Sequence, residues 1–280
     1  MVYVTQSSIE SFRLTHGWYD NQEITHYSSL AGAPVDYLEK DDIVTFSEPE
    51  SAPYSIQDAQ FPGLYFTLLN QPAEKLLQNY EPVAVGVNRI AGQLTQVVRL
   101  SAKSDDKFNF MLWLDKDTAL PLRIDVVDKR GNVAEQFMAV DYQLLPEKAT
   151  ELKHLFEKKV PQSLPRADLY HSQTNTDRWR LGWIPEGFNF ISKDQHQLFN
   201  SNNEVDYFLL SDGVVDISVY IADPEVDVRD REQYANHGAT NIFRMTRKDG
   251  REVTLVGEVP LMTLRKLAQG IYRLQEGSSQ

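Results

Sequence analysis

Polar and apolar positions alternate through much of residues 1–145, as they do in half-buried strands. Val44 and Phe46, for example, fall on one face of a short run, while their neighbours fall on the other. Two longer runs, 94–102 and 108–114, flank a short polar turn. Period-two runs separated by Gly, Asn and Asp predict antiparallel strands joined by hairpins.

The spacing of apolar residues becomes roughly helical after Pro62. The residues concerned are Leu64, Phe66, Leu68, Leu69, Ala73, Leu76 and Leu77. The Gln71-Pro72 pair interrupts them, because proline disfavours a helical conformation in the residue before it. The pattern predicts one or two short helices over 63–79, lying among the strands of this half.

The last hundred residues repeat the strand pattern and end differently. Runs of apolar residues surround two hairpin turns at Asp212-Gly213 and Asp249-Gly250. Pro260 then suits the first turn of a helix. One apolar stripe along that helix is formed by Leu264, Leu267, Ala268, Ile271 and Leu274. This part therefore reads as a small α+β domain.

A polar segment separates the two patterns. Residues 147–159 could form a polar helix, and 161–176 are rich in Pro, Ser, Gln, Asn and Thr. A length of 280 residues also favours two domains over one core. We predict a first domain at 1–146, a linker at 147–178 and a second domain at 179–280.

The chemistry that the composition allows is narrow. A net charge of −12 argues against general nucleic-acid binding, which needs a positive field. The absence of cysteine removes disulfides, thiol catalysis and cysteine-ligated metals. No run of about 18 apolar residues exists that would span a membrane.

Catalytic and cofactor motifs are also missing. The six histidines are scattered without metal spacing, and no HExxH, GxSxG, Walker or GxGxxG pattern occurs. The acidic pairs lie in polar turns, where carboxylates are solvated. The sequence predicts no catalytic residue, no metal and no cofactor, and it favours a binding protein over an enzyme.

Apolar and aromatic residues of the first domain offer the first candidate site. The candidates are Phe46, Tyr65, Phe66, Leu69, Trp113 and Phe137. Ordinary core packing explains them. The alternative is that they line a cavity for acyl chains under the predicted helices, since a half-closed sheet with helices across its mouth forms such pockets.

A locally basic stretch of the second domain offers the second candidate. Residues 241–274 contain seven Lys or Arg and three Asp or Glu, against the negative charge of the whole chain. Arg244, Arg247, Lys248 and Arg251 lie around the predicted Asp249-Gly250 turn. They form either a solvated hairpin or a docking point for an anionic ligand or acidic partner segment.

Several segments, in order along nearly the whole chain, resemble the RseB/MucB family of periplasmic regulators. FMLWLD at 110–115 and LPLRID at 120–125 resemble one of its hairpins, with Gln136-Phe137 beyond. WIPEGF at 183–188 resembles the opening of its small domain, and VGEVP at 256–260 resembles its C-terminal signature. Family members carry a helical segment before the first strand, whereas this chain opens on Val2-Tyr3-Val4, so we expect an upstream segment to be missing.

The resemblance implies a fold and a function. The fold is α+β, with a large unclosed antiparallel β-barrel carrying helices, similar to LolA and LolB, and a smaller α+β domain. The function is negative regulation of the sigma-E envelope stress response in the periplasm. The protein would bind the periplasmic region of an RseA/MucA-like anti-sigma factor and shield it from DegS-type proteolysis. Lipopolysaccharide or lipoprotein acyl chains would relieve that shielding.

Two further points stay open at this stage. The alternative function is a periplasmic lipid or lipoprotein carrier, because the first domain resembles LolA. A simple carrier, however, does not need residues 180–276. The chain is compatible with homo-oligomers, and the sequence does not define their contacts.

Overall fold

The computed structural model describes residues 1–144, 146, 149–165, 178–197, 204–222 and 232–274, with the backbone alone for 194–197 and 204. Residues 1–165 form a first unit built on one large sheet. Its strands are β1 (Val2–Thr5), β2 (Ile9–Tyr19), β3 (Gln22–Ser29), β4 (Asp36–Lys40), β5 (Ile43–Ser47), β6 (Tyr54–Gln57), β7 (Tyr80–Ile90), β8 (Gln93–Ala102), β9 (Asn109–Asp115), β10 (Pro121–Val127), β11 (Val133–Met138) and β12 (Ser163–Leu164). Its helices are α1 (Leu64–Asn70), α2 (Ala73–Asn79) and α3 (Thr150–Glu157).

The twelve strands run in the order β12-β6-β5-β4-β3-β2-β1-β11-β10-β9-β8-β7, so the sheet has two free ends and is unclosed. Neighbours pair antiparallel, except for the parallel contact of β12 with β6. The turn between β2 and β3 is the two-residue loop Asp20-Asn21, with φ of 51° and 62°. Asn and Asp tolerate this left-handed conformation, which a tight hairpin requires.

Helices α1 and α2 confirm the helical pattern predicted over 63–79, and the chain breaks between them at Gln71-Pro72. Helix α1 buries Leu64, Tyr65, Phe66 and Leu68 in the main hydrophobic core. Its seven residues are too few to be stable alone, so burial of this apolar face holds the helix in place.

Part of the predicted linker packs on the first unit. Leu152 of α3 is buried in a cluster with Ile24 and Leu38 of β3 and β4. Lys158 reaches Asp36 at 2.7 Å, and β12 pairs with β6. The contacts of α3 and β12 therefore belong with the large sheet. The division into 1–146, 147–178 and 179–280 stays a prediction.

Residues 178–274 form the second unit. It consists of β13 (Trp179–Leu181), β14 (Asn189–Gln197), β15 (Glu204–Ser211), β16 (Asp216–Ala222), β17 (Gln233–His237), β18 (Thr240–Thr246), β19 (Glu252–Gly257), α4 (Leu261–Gln269) and β20 (Ile271–Arg273). Six strands pair in the order β14-β15-β16-β19-β18-β17, and β13 pairs with β20. Helix α4 packs against β18 and β19 and buries Thr263, Leu264, Leu267 and Ala268. The expected fold class, a large unclosed antiparallel sheet with helices and a smaller α+β unit, is confirmed.

The end of the terminal helix was predicted wrongly. The apolar stripe extended the helix through Ile271 and Leu274, but α4 ends at Gln269. The N–H of Gly270 bonds to the carbonyls of Lys266 and Leu267, which closes the last turn. Ile271 then pairs with Leu181 across β13 and β20. Strand pairing therefore overrides the helical periodicity. No helix in the described part of the chain is long and apolar enough to cross a membrane.

We expect Leu152→Ala to destabilise the first unit by roughly 2–4 kcal/mol, because it removes a buried side chain that fills the space between α3 and the sheet. Urea denaturation measures the loss. Leu164→Ala is the matched control, because Leu164 is half exposed, and it should cost well under 1 kcal/mol. Equal effects of the two substitutions would contradict the packing of α3 on β3 and β4.

Candidate functional site

Five of the six residues predicted to line an acyl-chain pocket lie together around α1. Phe46, Tyr65 and Phe66 are buried in the main core, and Leu69 and Phe137 pack partly buried against it. The ring centroid of Tyr65 lies 5.4 Å from that of Phe66 and 5.6 Å from that of Phe137. These are the distances of packed aromatic pairs. The structure thus brings the five residues together, and their role as a pocket lining stays a prediction.

Trp113 lies apart from the other five. It belongs to a second hydrophobic cluster with Ile90, Val97, Leu122 and Ala139. The guanidinium of Arg123 stands 4.2 Å above its ring, a favourable contact between a cation and an aromatic face. The strand pattern placed Trp113 in the sheet, but it did not show which cluster its ring joins.

The four basic residues around the Asp249-Gly250 turn do not form one surface. Arg247 and Arg251 both lie over the ring of buried Trp179, at 5.3 and 5.5 Å. Arg247 also donates to the carbonyl of Ile271, and Arg244 pairs with Glu252. Lys248 is exposed. Much of this positive charge stabilises the packing of the second unit, and its use in partner binding stays a prediction.

A buried ion pair joins the two units. The Nζ of Lys107, in the turn between β8 and β9, lies 2.8 Å from an oxygen of Asp212, in the turn between β15 and β16. Both side chains are almost fully buried, at 2% and 0% exposure. Asp212 also accepts hydrogen bonds from the N–H groups of Val214 and Val215 at 2.8 and 2.9 Å. One carboxylate oxygen of Asp212 therefore faces a cation and the other accepts two N–H groups, which is how a buried charge is normally compensated.

Neighbouring groups extend this contact. The amide of Asn79 donates to the backbone oxygen of Asp212 at 2.9 Å, and Lys107 lies over the ring of Phe188 at 5.1 Å. Burial, and then the charge of Asp212, raise the pKa of the Tyr80 phenol well above its usual value. A side chain at Gly187, whose φ is +82°, would overlap the Asn79 amide. Glycine thus permits both the turn and the close approach of the units.

A second polar contact lies at the junction, by which we mean the boundary between the two units. Glu135 of β11 is buried and accepts a hydrogen bond from the N–H of Ala239 at 2.8 Å. The Tyr3 hydroxyl donates to the same carboxylate oxygen at 3.1 Å. Burial raises the pKa of the Glu135 carboxyl above its usual value, although both hydrogen bonds oppose the shift. Thr263 adds a third contact by donating to the backbone oxygen of Asp106 at 3.0 Å.

A cavity of about 240 Å³ opens beside these contacts, between α1 and the sheet of the second unit. Gly63 and Thr67 line it from the first unit. From the second unit it is lined by Val214, Asp216, Ser218, Thr240, Val256, Gly257 and Glu258. Burial, followed by the negative charges of Glu135 and Asp216, raises the pKa of Glu258 to about 7. A second cavity of about 430 Å³ lies between the β8–β9 turn and α4.

Sequence reasoning missed the residues of this junction. Lys107 and Asp212 lie in polar turns, where charged side chains are normally solvated. The sequence around Asp212 indicated only the hairpin turn at Asp212-Gly213. Nothing in the local pattern indicates that a turn of one unit meets a turn of the other, because these residues are 105 positions apart in the chain.

The described residues show no arrangement for metal binding. No group of three His, Cys, Asp or Glu among them could hold a metal ion. The features that the junction does offer are buried polar contacts, two cavities and an acidic lining. These are features of a binding surface.

Comparison with protein families covers both units. The model of the MucB/RseB N-terminal domain matches residues 1–164, and the model of the MucB/RseB C-terminal domain matches residues 173–272. The chain belongs to the MucB/RseB family. Sigma-E factor regulatory protein RseB of Salmonella typhimurium is 25% identical over 271 residues, which cover 96% of this chain and 83% of that protein. Sigma factor AlgU regulatory protein MucB of Pseudomonas aeruginosa is 27% identical over 195 residues, covering 69% and 60%.

Solved structures of the MucB/RseB family share the fold. MucB in the Pseudomonas aeruginosa MucA/MucB complex superposes with a TM-score of 0.75 at 24% identity, covering 98% of this chain and 92% of that one. Another crystal structure of MucB gives a TM-score of 0.59 at 23% identity, covering 98% of this chain and 90% of that one. The coverage is nearly the same in both comparisons, so the difference lies in how well the matched parts superpose.

We expect Lys107→Met to lower the free energy of unfolding by roughly 3 kcal/mol, because it leaves the Asp212 carboxylate buried without a cation. The double variant Lys107→Met/Asp212→Asn should lose less, since it removes that charge and keeps an oxygen for the N–H groups of Val214 and Val215. Urea denaturation of Lys107→Met, Asp212→Asn and the double variant gives a double-mutant cycle, which measures the coupling energy between the two side chains.

Lys129→Met is the matched control, because Lys129 pairs with exposed Asp105 at the surface. Surface pairs contribute about 0–1 kcal/mol. If Lys107→Met costs no more than Lys129→Met, the buried pair does not hold the two units together.

Proposed function

We propose that this protein is a negative regulator of the sigma-E envelope stress response. In this proposal it works in the periplasm, binds the periplasmic region of an RseA/MucA-like anti-sigma factor, and shields that region from DegS-type proteolysis. The observation that carries the proposal is the match of both MucB/RseB domain models, in order, to residues 1–164 and 173–272. A simple carrier would need only the first of them.

The junction supports this proposal physically. The two units meet through buried polar groups and leave cavities of about 240 and 430 Å³ along the line of contact. Ligand sites often form at such boundaries, because two walls can enclose a guest. The chain also shares its fold with MucB of the MucA/MucB complex, with a TM-score of 0.75. An extended segment of the anti-sigma factor lying along the junction would contact both units at once.

The test uses the full chain and the periplasmic region of the anti-sigma factor of the same organism. We expect a stable complex by isothermal titration calorimetry, and we expect the complex to slow cleavage of that region by a DegS-type protease at least tenfold. Cleavage of an unrelated model substrate should be unchanged, which excludes inhibition of the protease itself. A missing complex together with an unchanged cleavage rate would contradict the proposal.

Sensing of acyl chains from lipopolysaccharide or lipoprotein is the second part of the proposal. It is supported by the aromatic cluster beneath α1, where Phe46, Tyr65 and Phe66 lie in one core. Helix α1 has only seven residues and is held by burial of its apolar face, so a chain that replaced these contacts could displace the helix and occupy the apolar space. Homo-oligomerisation stays a separate prediction, and the proposed binding of the anti-sigma factor does not depend on it.

The two hydrophobic clusters of the first unit allow a matched test of acyl-chain binding. We expect Phe66→Leu to weaken binding of a fluorescent fatty-acyl probe to the full chain several-fold, because the ring lies in the proposed cavity wall. Trp113→Phe should leave the affinity unchanged, because Trp113 belongs to the second cluster. Circular dichroism must first show that both variants fold. No saturable binding to the parent, or equal losses in both variants, would overturn this part.

A further inference from the structure

Strand β7 forms one end of the large sheet. It pairs with β8 on one side, and no described strand pairs with it on the other. The strand has 11 residues, and positions 81–89 within it are all exposed. An uncovered sheet edge presents backbone N–H and C=O groups that can pair with another chain. Strand β7 is therefore a template on which one more strand can form.

The hairpin between β7 and β8 shows which backbone groups point away from β8. Ile90 and Gln93 flank a two-residue loop, so they are the hydrogen-bonded pair that closes a tight hairpin. Hydrogen-bonded and non-hydrogen-bonded pairs alternate along an antiparallel ladder. Asn88 therefore bonds to β8. The N–H and C=O groups of Val87 and Arg89 point the other way, toward the open side of the strand.

Two side chains of β8 agree with this alternation. The hydroxyl of Thr95 donates to the carbonyl of Asn88 at 3.1 Å, and the amide of Gln96 donates to the carbonyl of Gly86 at 2.7 Å. The carbonyls of Gly86 and Asn88 are thus within reach of β8. Val87 lies between these two residues, so its own N–H and C=O lie on the opposite side of the strand.

Two features limit the open edge to the part of β7 nearest its turn. Pro82 has no N–H to donate. The pairing of β7 with β8 shifts between Ala84 and Gly86, which makes a β-bulge at Val85. Proline and bulges protect a sheet edge from pairing with another flat sheet. The regular part of the edge therefore begins after the bulge and consists of residues 86–90.

The side chains along this short edge are apolar, with one cation among them. Val87 is 53% exposed, and Leu94 of β8 is 49% exposed on the same face of the sheet. Arg89 pairs with Leu94 on that face, and one of its guanidinium nitrogens donates to the carbonyl of Gly92 at 3.0 Å. A strand added here would match the face with an apolar residue opposite Val87 and an acidic residue opposite Arg89.

We propose that residues 86–90 of β7 bind an extended segment of the anti-sigma factor, which adds to the large sheet as one more antiparallel strand. Antiparallel pairs are the more stable kind, and in this orientation the acidic residue of the segment comes two positions before its apolar residue. Main-chain hydrogen bonds then supply affinity, and alternate side chains supply specificity. The inference rests on the proposed function for the identity of the partner.

A second copy of this chain is a poorer occupant of the same edge. Stable complexes of two folded proteins bury about 800 Å² on each partner, far more than a pairing confined to residues 86–90 supplies. The bulge also opposes the approach of a rigid sheet. An extended peptide can bend past the bulge and continue to the junction. Strand β7 begins there, because Asn79, which precedes it, donates to the backbone oxygen of Asp212.

The first experiment uses the full chain and the periplasmic region of the anti-sigma factor of the same organism. Val87→Pro removes one outward N–H and should weaken the complex about tenfold or more in isothermal titration calorimetry, because a carbonyl of the partner is left unpaired. Val87→Thr keeps the N–H and the shape of the side chain, so as the matched control it should change the affinity by less than about threefold. Val87→Pro should stay folded, since proline is tolerated where the N–H faces away from the sheet.

A charge reversal tests the same edge without proline. Arg89→Glu should weaken the complex several-fold, and replacing the acidic residue of the anti-sigma segment with lysine should restore the affinity of this variant. Arg99→Glu is the matched charge control, because Arg99 is exposed on the opposite face of β8. It should leave the affinity unchanged.

Backbone pairing has a signature that side-chain docking lacks. Methylation of each backbone nitrogen in turn, along synthetic peptides that cover the anti-sigma region, should weaken binding at every second residue of one short stretch. In the complex, the amide hydrogens of Val87 and Arg89 should exchange with solvent at least about ten times more slowly. The amide of Asn88, which already bonds to β8, should exchange as it does in the unbound protein.

The outcomes separate this inference from the proposed function. If the complex forms and slows cleavage, but Val87→Pro and Arg89→Glu bind like the parent, the inference is overturned while the regulatory function stands. If no complex forms, the proposed function and the inference both fail. If analytical ultracentrifugation shows a dimer of the parent that Val87→Pro dissociates, a second copy occupies the edge, and the inference is again overturned.

Discussion

A buried ion pair between Lys107 and Asp212 fixes how the two sheets meet. Neither unit could bury its charge alone, because an isolated ion in an apolar interior is strongly unfavourable. Each charge therefore requires the other unit in the same position, with Asn79 and the N–H groups of Val214 and Val215 completing the polar contacts. An apolar contact would tolerate sliding, whereas a buried pair with defined donors specifies one register.

The rest of the junction is built on the same constraint. Glu135 accepts a hydrogen bond from the N–H of Ala239, and Thr263 donates to the backbone oxygen of Asp106, so further polar contacts join the two units. The junction also has an apolar part, because one hydrophobic cluster contains buried residues of both units, among them Phe108 and Phe110 of the first and Phe188 and Val214 of the second. A partner that bridged the cavities would add its own contacts to a junction that already has one preferred geometry.

Local patterns predicted the elements well. Alternation and turn residues indicated the antiparallel strands, and the Gln71-Pro72 break separated two short helices where α1 and α2 lie. The periodic stripe through Ile271 failed because pairing with Leu181 is a contact between distant segments. The resemblance of short segments indicated the family, but no sequence pattern predicted the contacts between the two units. Lys107 and Asp212 become distinctive only when the surfaces of the two units meet, which no local pattern records.

Helix α1 belongs to two environments at once. Its Tyr65 and Phe66 lie in the aromatic core, while Gly63 before it and Thr67 within it form one wall of the acidic cavity. A seven-residue helix cannot shift one of these surfaces and leave the other in place. A ligand that displaced α1 from the core would therefore also move one wall of the cavity, and binding at the two places would be linked, each changing the affinity of the other by the same factor. Coupling of this kind would pass through one short helix and would require no rearrangement of the large sheet.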